Sequence, residues 1–274
     1  MVNQTLYLSN GFVEYVGELF RSRRLIFDLT RREFRGRYLG SAFGLIWAFI
    51  HPATMMFIYW IVFQHGLNAG PVNGVPFVVW LLSGLVPWFY ASDCITTGGN
   101  VILDNRFLVK KVVFRVSLLP VVRILSLLPA HLFFLGAIIL INWAYGYPPT
   151  LQTFQVVYYL GALCVLSIGL SWLISALVPF LKDLAQVVTV LLQVLFWIMP
   201  IVWPETNVPQ KARWILFINP LYYIIQGYRD SLINHVWLWH HPVVGAYFWA
   251  IAATIFAVGG MVFLRMQSHF ADVL

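Results

Sequence analysis

Between Tyr38 and Ser92 the chain runs without a single Asp, Glu, Lys or Arg, and between Ile124 and Leu181 it does so again. Both stretches are broken by turn residues, the second at Tyr145-Gly146-Tyr147-Pro148-Pro149. A membrane-crossing helix needs about 20 predominantly apolar residues. By that measure the pattern predicts six spans, at residues 43–63, 76–94, 118–143, 156–180, 184–202 and 243–264. The first carries His51-Pro52 in its middle, and Gly98-Gly99 lies where the second should stop.

Ahead of the first span the pattern changes. Phe20, Phe27, Phe34 and Tyr38 share one face of a helical wheel, while Arg21, Asp28, Arg32 and Arg35 lie on the other. Residues 11–37 therefore predict an amphipathic helix in the membrane interface, apolar face in the acyl boundary and arginines among headgroups. One reading has these arginines only anchor the first span. The other has them also touch something on the inner side.

Residues 98–112 alternate Ile102, Leu103 and Phe107 with Asp104, Asn105, Arg106 and Lys110 at roughly helical spacing. They predict a short amphipathic helix for docking a soluble partner, or a solvated connector whose charges set topology. Between spans five and six, Trp214 to Ile218 and Leu221 to Ile225 are apolar pieces too short to cross, broken at Asn219-Pro220. Residues 208–234 accordingly predict a pair of half-buried helices dipping back into the outer leaflet. Such backbone is tolerated only inside protein or beside a water-filled cavity. Glu205, Arg229 and Asp230 are expected on its water side.

Composition narrows the class. Of 274 residues 61% are hydrophobic and 10% charged, against about a quarter charged in soluble domains. Too few charges remain to cover a globular surface, so the chain reads as an all-α integral membrane protein. The net charge of +7 then serves topology rather than nucleic acid. With the N-terminus inside, fourteen of the seventeen Lys and Arg fall on the inner side, which predicts both termini in the cytoplasm. The first apolar run starts too late for a secretory leader, so the first span is expected to direct insertion.

Candidate chemistry is sparse. No Gly-Lys pair exists, so no P-loop can form. No Asp, Glu or Lys lies deep in the predicted spans, which argues against an ion-driven carrier and for energy supplied by a partner. Cys94 and Cys164 read as buried thiols. His51 and His131 lie at apolar depth, as satisfied core residues or functional ones. His235, His240 and His241 read as a wet loop or a metal site, and with Glu205 they are the one candidate for a membrane enzyme acting on lipid-linked sugars. The aromatic cluster at the outer end, with Trp203, Trp214, Tyr222, Tyr223 and Tyr228, reads as an interfacial belt or as a sugar-chain lining, since pyranose C–H faces pack on rings.

In order along the chain stand RYLGSAFGLIWAFIHP, VPFVVWLLSGLVPWFY, LVKKVVF, NPLYYIIQGYRDSL and HFADVL. This series resembles the membrane subunits of ABC-2-type exporters of lipid-linked polysaccharides, the permeases of O-antigen, capsule and teichoic acid. GPVNGVPFVVWLLSGLVPWF, YPPTLQTFQVVYYL and NPLYYIIQGYRDSLI look most similar to the wall teichoic acid branch, with O-antigen or capsular export as the alternative. The resemblance implies the ABC-2 exporter fold: two copies of a six-span subunit in the plasma membrane over two separate ATPase chains. Those chains, not this one, would bind ATP and Mg, and this chain would carry no catalytic residue, metal or cofactor. Asp104, Asn105, Arg106, Phe107, Lys110 and Lys111 would couple to the ATPase. Arg31, Arg32, Arg35 and Arg37 would meet headgroups or the substrate's lipid diphosphate. Trp203, Trp214, Tyr222, Tyr223 and Tyr228 would form the outer gate and glycan path.

Overall fold

The computed structural model describes residues 17, 21–37, 44–110 and 115–274. Phe20, Tyr38, Phe43 and Lys111 lie outside the described residues, as does most of residues 11–20. Among the described residues the regular structure is helical apart from one bridge between Val72 and Val75, closed by Asn73 and Gly74, both at positive φ. That Asn-Gly pair is the standard solution for so tight a reversal.

Among the described residues, four helical stretches are long and apolar enough to cross a membrane by length and composition: Phe77–Gly99, Leu118–Ala144, Leu151–Leu177 and Pro242–Val273. Two further apolar helices are shorter. Trp47–Trp60 has 14 residues and Leu184–Ile198 has 15, about 21 and 22 Å at the helical rise. Trp47–Trp60 is prolonged by a π-helical segment, Ile61–Gly66. Leu184–Ile198 stops short of the expected residue 202 because Met199 turns extended ahead of Pro200, the conformation a following proline imposes. We number the α-helices α1 (Arg23–Gly36), α2 (Trp47–Trp60), α3 (Phe77–Gly99), α4 (Val101–Asp104), α5 (Arg106–Val109), α6 (Leu118–Ala144) and α7 (Gln155–Leu177). The remainder are α8 (Leu184–Ile198), α9 (Trp214–Ile218), α10 (Pro220–Arg229), α11 (Pro242–Met266) and α12 (Phe270–Val273).

Helix α3 is the axis of the bundle. In its apolar stretch 78% of residues are buried, against 28% for α6 and for the stretch beginning with α11. It ends at Gly99, five residues past the predicted boundary, with Asp93 six residues before its end. Its final glycines fit their neighbours: a Cβ on Gly98 would lie 2.3 Å from Ser171 Oγ, and one on Gly99 would lie 2.7 Å from Ile174. Helices α7 and α11 meet backbone to backbone. A Cβ on Gly259 would sit 2.2 Å from the carbonyl oxygen of Gly169. Small residues let spanning helices approach this closely, where dispersion and weak polar contacts replace the hydrophobic drive that lipid cannot supply. Between α6 and α7 the chain turns at Gly146, φ +89°, and Tyr147 N–H donates to Asn142 O at 2.9 Å. This closes α6 as a left-handed cap.

A second core lies at the arginine-rich end. Ile26 of α1, Ile102, Val109, Trp172, Phe263 and Phe270 pack together there. The C-terminal turn α12 is thus folded back onto this core, the Phe270 ring 5.4 Å from that of Phe263. The stripe of α1 that faces protein includes Ile26, Leu29, Thr30 and Glu33, with Arg37 just past its end. Phe27, from the predicted apolar face, is 68% exposed, so it points away from this core.

Candidate functional site

The first candidate surface is the loop after α3. The single helix expected over 98–112 is two short turns, α4 and α5, broken at Asn105. Asn105 donates its side-chain amide to Val101 O at 2.9 Å, a local bond that competes with helix continuation. Val101, Ile102 and Val109 are buried and pin the loop. Asp104, Arg106 and Lys110 are exposed, and the Phe107 ring is 81% exposed. The pinned loop thus holds an aromatic ring outward, an exposed apolar side chain of the kind that partners bury.

Asp104 does more than face outward. Arg123, near the start of α6, donates to Asp104 Oδ2 at 3.0 Å and pairs with Glu33 Oε1 at 3.2 Å. One half-turn of α6 thereby ties α1 to the loop, because Arg123 is too buried to be left without counter-charges. Of the four arginines predicted for headgroups or diphosphate, Arg31, Arg32 and Arg35 are exposed. Arg37 instead turns inward and donates to Ser126 Oγ at 3.3 Å. It lines a cavity of about 140 Å³ together with Asp93, Tyr90, Thr97 and His131.

The second candidate is a face rather than a pocket. On α8, Gln186, Val190, Gln193 and Trp197 are exposed along one stripe, and on α2 His51, Thr54 and Ile58 are exposed along another. The rings of Tyr59 and Phe196, 5.1 Å apart, bring the ends of the two helices into contact. The structure gives Gln186 and Gln193 no hydrogen-bond partner among the described residues. Amides turned to hydrocarbon would cost several kcal/mol, on the order of 2–7 each, so this face calls for protein or water, not lipid.

The third candidate is the opposite end, α9 and α10. Asn219 caps α10 by accepting from Leu221 N–H at 2.9 Å, with Pro220 in the first turn. The break between two apolar pieces was legible from this pair. The expectation that Arg229 and Asp230 face water is overturned: they are 3% and 4% exposed. Arg229 Nη1 donates to Pro200 O at 2.8 Å and Nη2 to Ile201 O at 3.3 Å, and its guanidinium carbon lies 3.7 Å from the Trp80 ring centroid. Carbonyl dipoles and an aromatic face replace its hydration. Burial pulls its pKa down to about 9, with Tyr222, Glu205 and Asp230 opposing the fall, so it stays cationic at neutral pH. Gly84 makes the space, since a Cβ there would meet Nη2 at 2.7 Å. The guanidinium fastens α10 to α3 and to the carbonyls that follow α8.

Asp230 accepts from Gln226 at 3.0 Å and Asn234 at 2.8 Å, and His241 Nε2 stands 3.7 Å from its other oxygen. Burial pushes its carboxyl up, and the amide donors hold it down. Glu205 is half-buried and accepts a short hydrogen bond from the Tyr222 hydroxyl. His235 pairs with Thr150 Oγ1 at 2.9 Å, so the three histidines serve separate partners rather than one centre. Among the predicted path residues Trp214 is 60% exposed, Trp203 is half-buried, and Tyr222 and Tyr223 are 6% exposed. Tyr228 is fully buried, its hydroxyl 2.9 Å from His131 Nε2. The structure therefore separates Tyr228 from the surface-facing aromatics, and it explains His131 as a core partner. Sequence reasoning missed Arg229 as a clamp; the signal was a lone Arg next to Asp inside a run of buried tyrosines.

The family model described as "ABC-2 type transporter" matches residues 24–233. The "O-antigen export system permease protein RfbA" of Klebsiella pneumoniae is 26% identical over 251 residues, 91% of this chain and 95% of the relative. A protein of the same name from Myxococcus xanthus is 27% identical over 227 residues, 81% of this chain and 85% of the relative. The "Polysialic acid transport protein KpsM" of Escherichia coli is 24% identical over 206 residues, 75% of this chain and 80% of the relative.

Proposed function

The chain belongs to the ABC-2 type transporter family, and from that premise we propose that it is the permease subunit of an ATP-driven polysaccharide exporter in the plasma membrane. Two copies would pair, with six spans each and both termini inside, and two separate ATPase chains would dock below. The observation that carries the reading is the pair of exposed amides, Gln186 and Gln193, on otherwise apolar α8, with His51 and Thr54 exposed on α2. Two copies meeting across Gln186, Gln193, His51 and Thr54 would enclose a path wet enough for sugars yet closed to lipid. The matched O-antigen and polysialic acid proteins favour a bacterial surface glycan as cargo. Wall teichoic acid is the rival cargo that the sequence resemblance raised.

In this reading Phe107 and its charged neighbours enter the ATPase. Arg31, Arg32 and Arg35 collect an anionic lipid diphosphate at the inner surface. Trp203 and Trp214 offer rings to the emerging glycan. ATP-driven closure of the ATPase pair would push the loop, and the Glu33–Arg123–Asp104 bridge would carry that push to α1 and α6.

A cross-linking experiment tests the path. Gln193→Cys in native membranes, treated with a short bis-maleimide, is expected to give a dimer of this chain. Leu140→Cys, on the 63% exposed flank of α6, is expected to give none. The parent chain, whose Cys94 is buried and Cys164 half-buried, is the control. Cross-links at residue 140 but not 193 would place the interface elsewhere and remove the path. Co-purification of a P-loop ATPase tests the exporter class itself.

A further inference from the structure

A cavity of about 280 Å³ opens between the segment at Glu205, helices α9 and α10, and the start of α11. Its lining combines two chemistries. It holds the ring of Phe217, 41% exposed and held edge-on by Tyr222 at 5.2 Å. It also holds the acceptors Glu205, Gln226 and Asp230. One Glu205 oxygen is taken by Tyr222, and Asp230 Oδ1 is taken by Gln226 and Asn234. Glu205 Oε1 and Gln226 Oε1 have no partner among the described residues. The volume lies near the lower end of small-ligand sites, about 300 Å³.

We propose that this cavity is a binding site for a single neutral or amino-bearing sugar ring and that it rejects acidic ones. A pyranose has a C–H face for Phe217 and an edge of hydroxyl donors for the unfilled carboxylate and amide oxygens. A divalent cation is a poor fit. It requires six or more oxygen ligands, and Asp230 is already committed to two amides. An anionic sugar or phosphate polymer would meet two carboxylates. The nearest cation, Arg229, directs its nitrogens to the Pro200 and Ile201 carbonyls instead. His241 pairs with Asp230. The site would therefore read the leading sugar of the cargo, and it would favour uncharged or amino-bearing glycans over polyanions such as teichoic acid. The inference rests on the export reading for the source of the sugar, but the recognition chemistry does not depend on it.

The test uses the purified full chain in lipid nanodiscs and saturation-transfer NMR, which detects weak binding directly. The probes are methyl glucoside, methyl glucosaminide and methyl glucuronide. Saturation is expected on the first two, with glucuronide weaker by about tenfold or more, the effect of a like charge in a poorly hydrated site. Phe217→Ala should abolish the glucoside signal; its ring is partly exposed, so the fold should tolerate the change. Glu205→Gln keeps an acceptor for Tyr222, and it should narrow the gap between glucoside and glucuronide. No saturation of glucoside, equal saturation of glucuronide, or an unchanged signal in Phe217→Ala would each overturn the site. Sugar binding without a co-purifying ATPase would instead leave the site standing and sink the export reading.

Discussion

Removing the Phe107 ring should loosen the ATPase without harming the permease. Full burial of a phenylalanine side chain is worth about 1.5–3 kcal/mol. With 81% of the residue exposed in the free chain, nearly all of that gain is available to a partner. Fixing the side chain in a pocket returns about 0.5–1 kcal/mol. The net loss in Phe107→Ala is then about 1–2 kcal/mol, a five- to thirtyfold rise in Kd. The assay is binding of the ATPase chain to permease in nanodiscs, followed by interferometry. Phe27→Ala is the matched control, because Phe27 is also an exposed ring, 68% exposed, but it sits on the face of α1 turned from the inner core. Thermal stability of both variants should match the parent, since neither ring packs in the core. A change in Kd below twofold for Phe107→Ala, or an equal loss for Phe27→Ala, would refute the docking role.

Other perturbations separate structure from transport. Arg229→Met should cost about 2–4 kcal/mol, because two buried carbonyls lose their donors, and Arg229→Lys should recover only part, lacking the planar fork; thermal denaturation in detergent reads both, and parent-like stability in the Met variant would dismiss the clamp. Gly259→Val should force α7 and α11 apart, given the 2.2 Å approach to Gly169 O, and lower the yield of folded protein; normal yield and stability would show that the helices are free to separate. Arg123→Gln should destabilise by about 1–2 kcal/mol, the modest value reflecting the partial exposure of Glu33 and Asp104. Adding Glu33→Gln and Asp104→Asn to that variant should restore part of the loss, since the stranded carboxylates are then neutral; additive losses in the triple variant would mean that the three residues do not act together.

What the chain determined alone was local. Hydropathy summed over 20 residues is a property of the segment, so four of the expected spans appear as full-length helices close to the predicted limits. Caps and breaks were equally local, as at Gly99, Gly146 and Asn219-Pro220. The spans expected at 43–63 and 184–202 appear instead as the shorter helices α2 and α8, because their ends depend on a π-helical segment and on the backbone before Pro200. Tertiary structure decided which face of each helix meets protein. It turned Ile26, Thr30, Glu33 and Arg37 toward the bundle while Phe27 faced away. It withdrew Arg229 and Asp230 from water, and gathered Phe217, Glu205 and Gln226, from three different segments, around one cavity. A buried charge is tolerable only where distant carbonyls and rings converge on it, and no window of sequence records that convergence. The exposed amides of α8 stand between the two cases. Their residue types and spacing are written in the chain, but that the neighbouring helices leave them uncovered is decided by the tertiary structure.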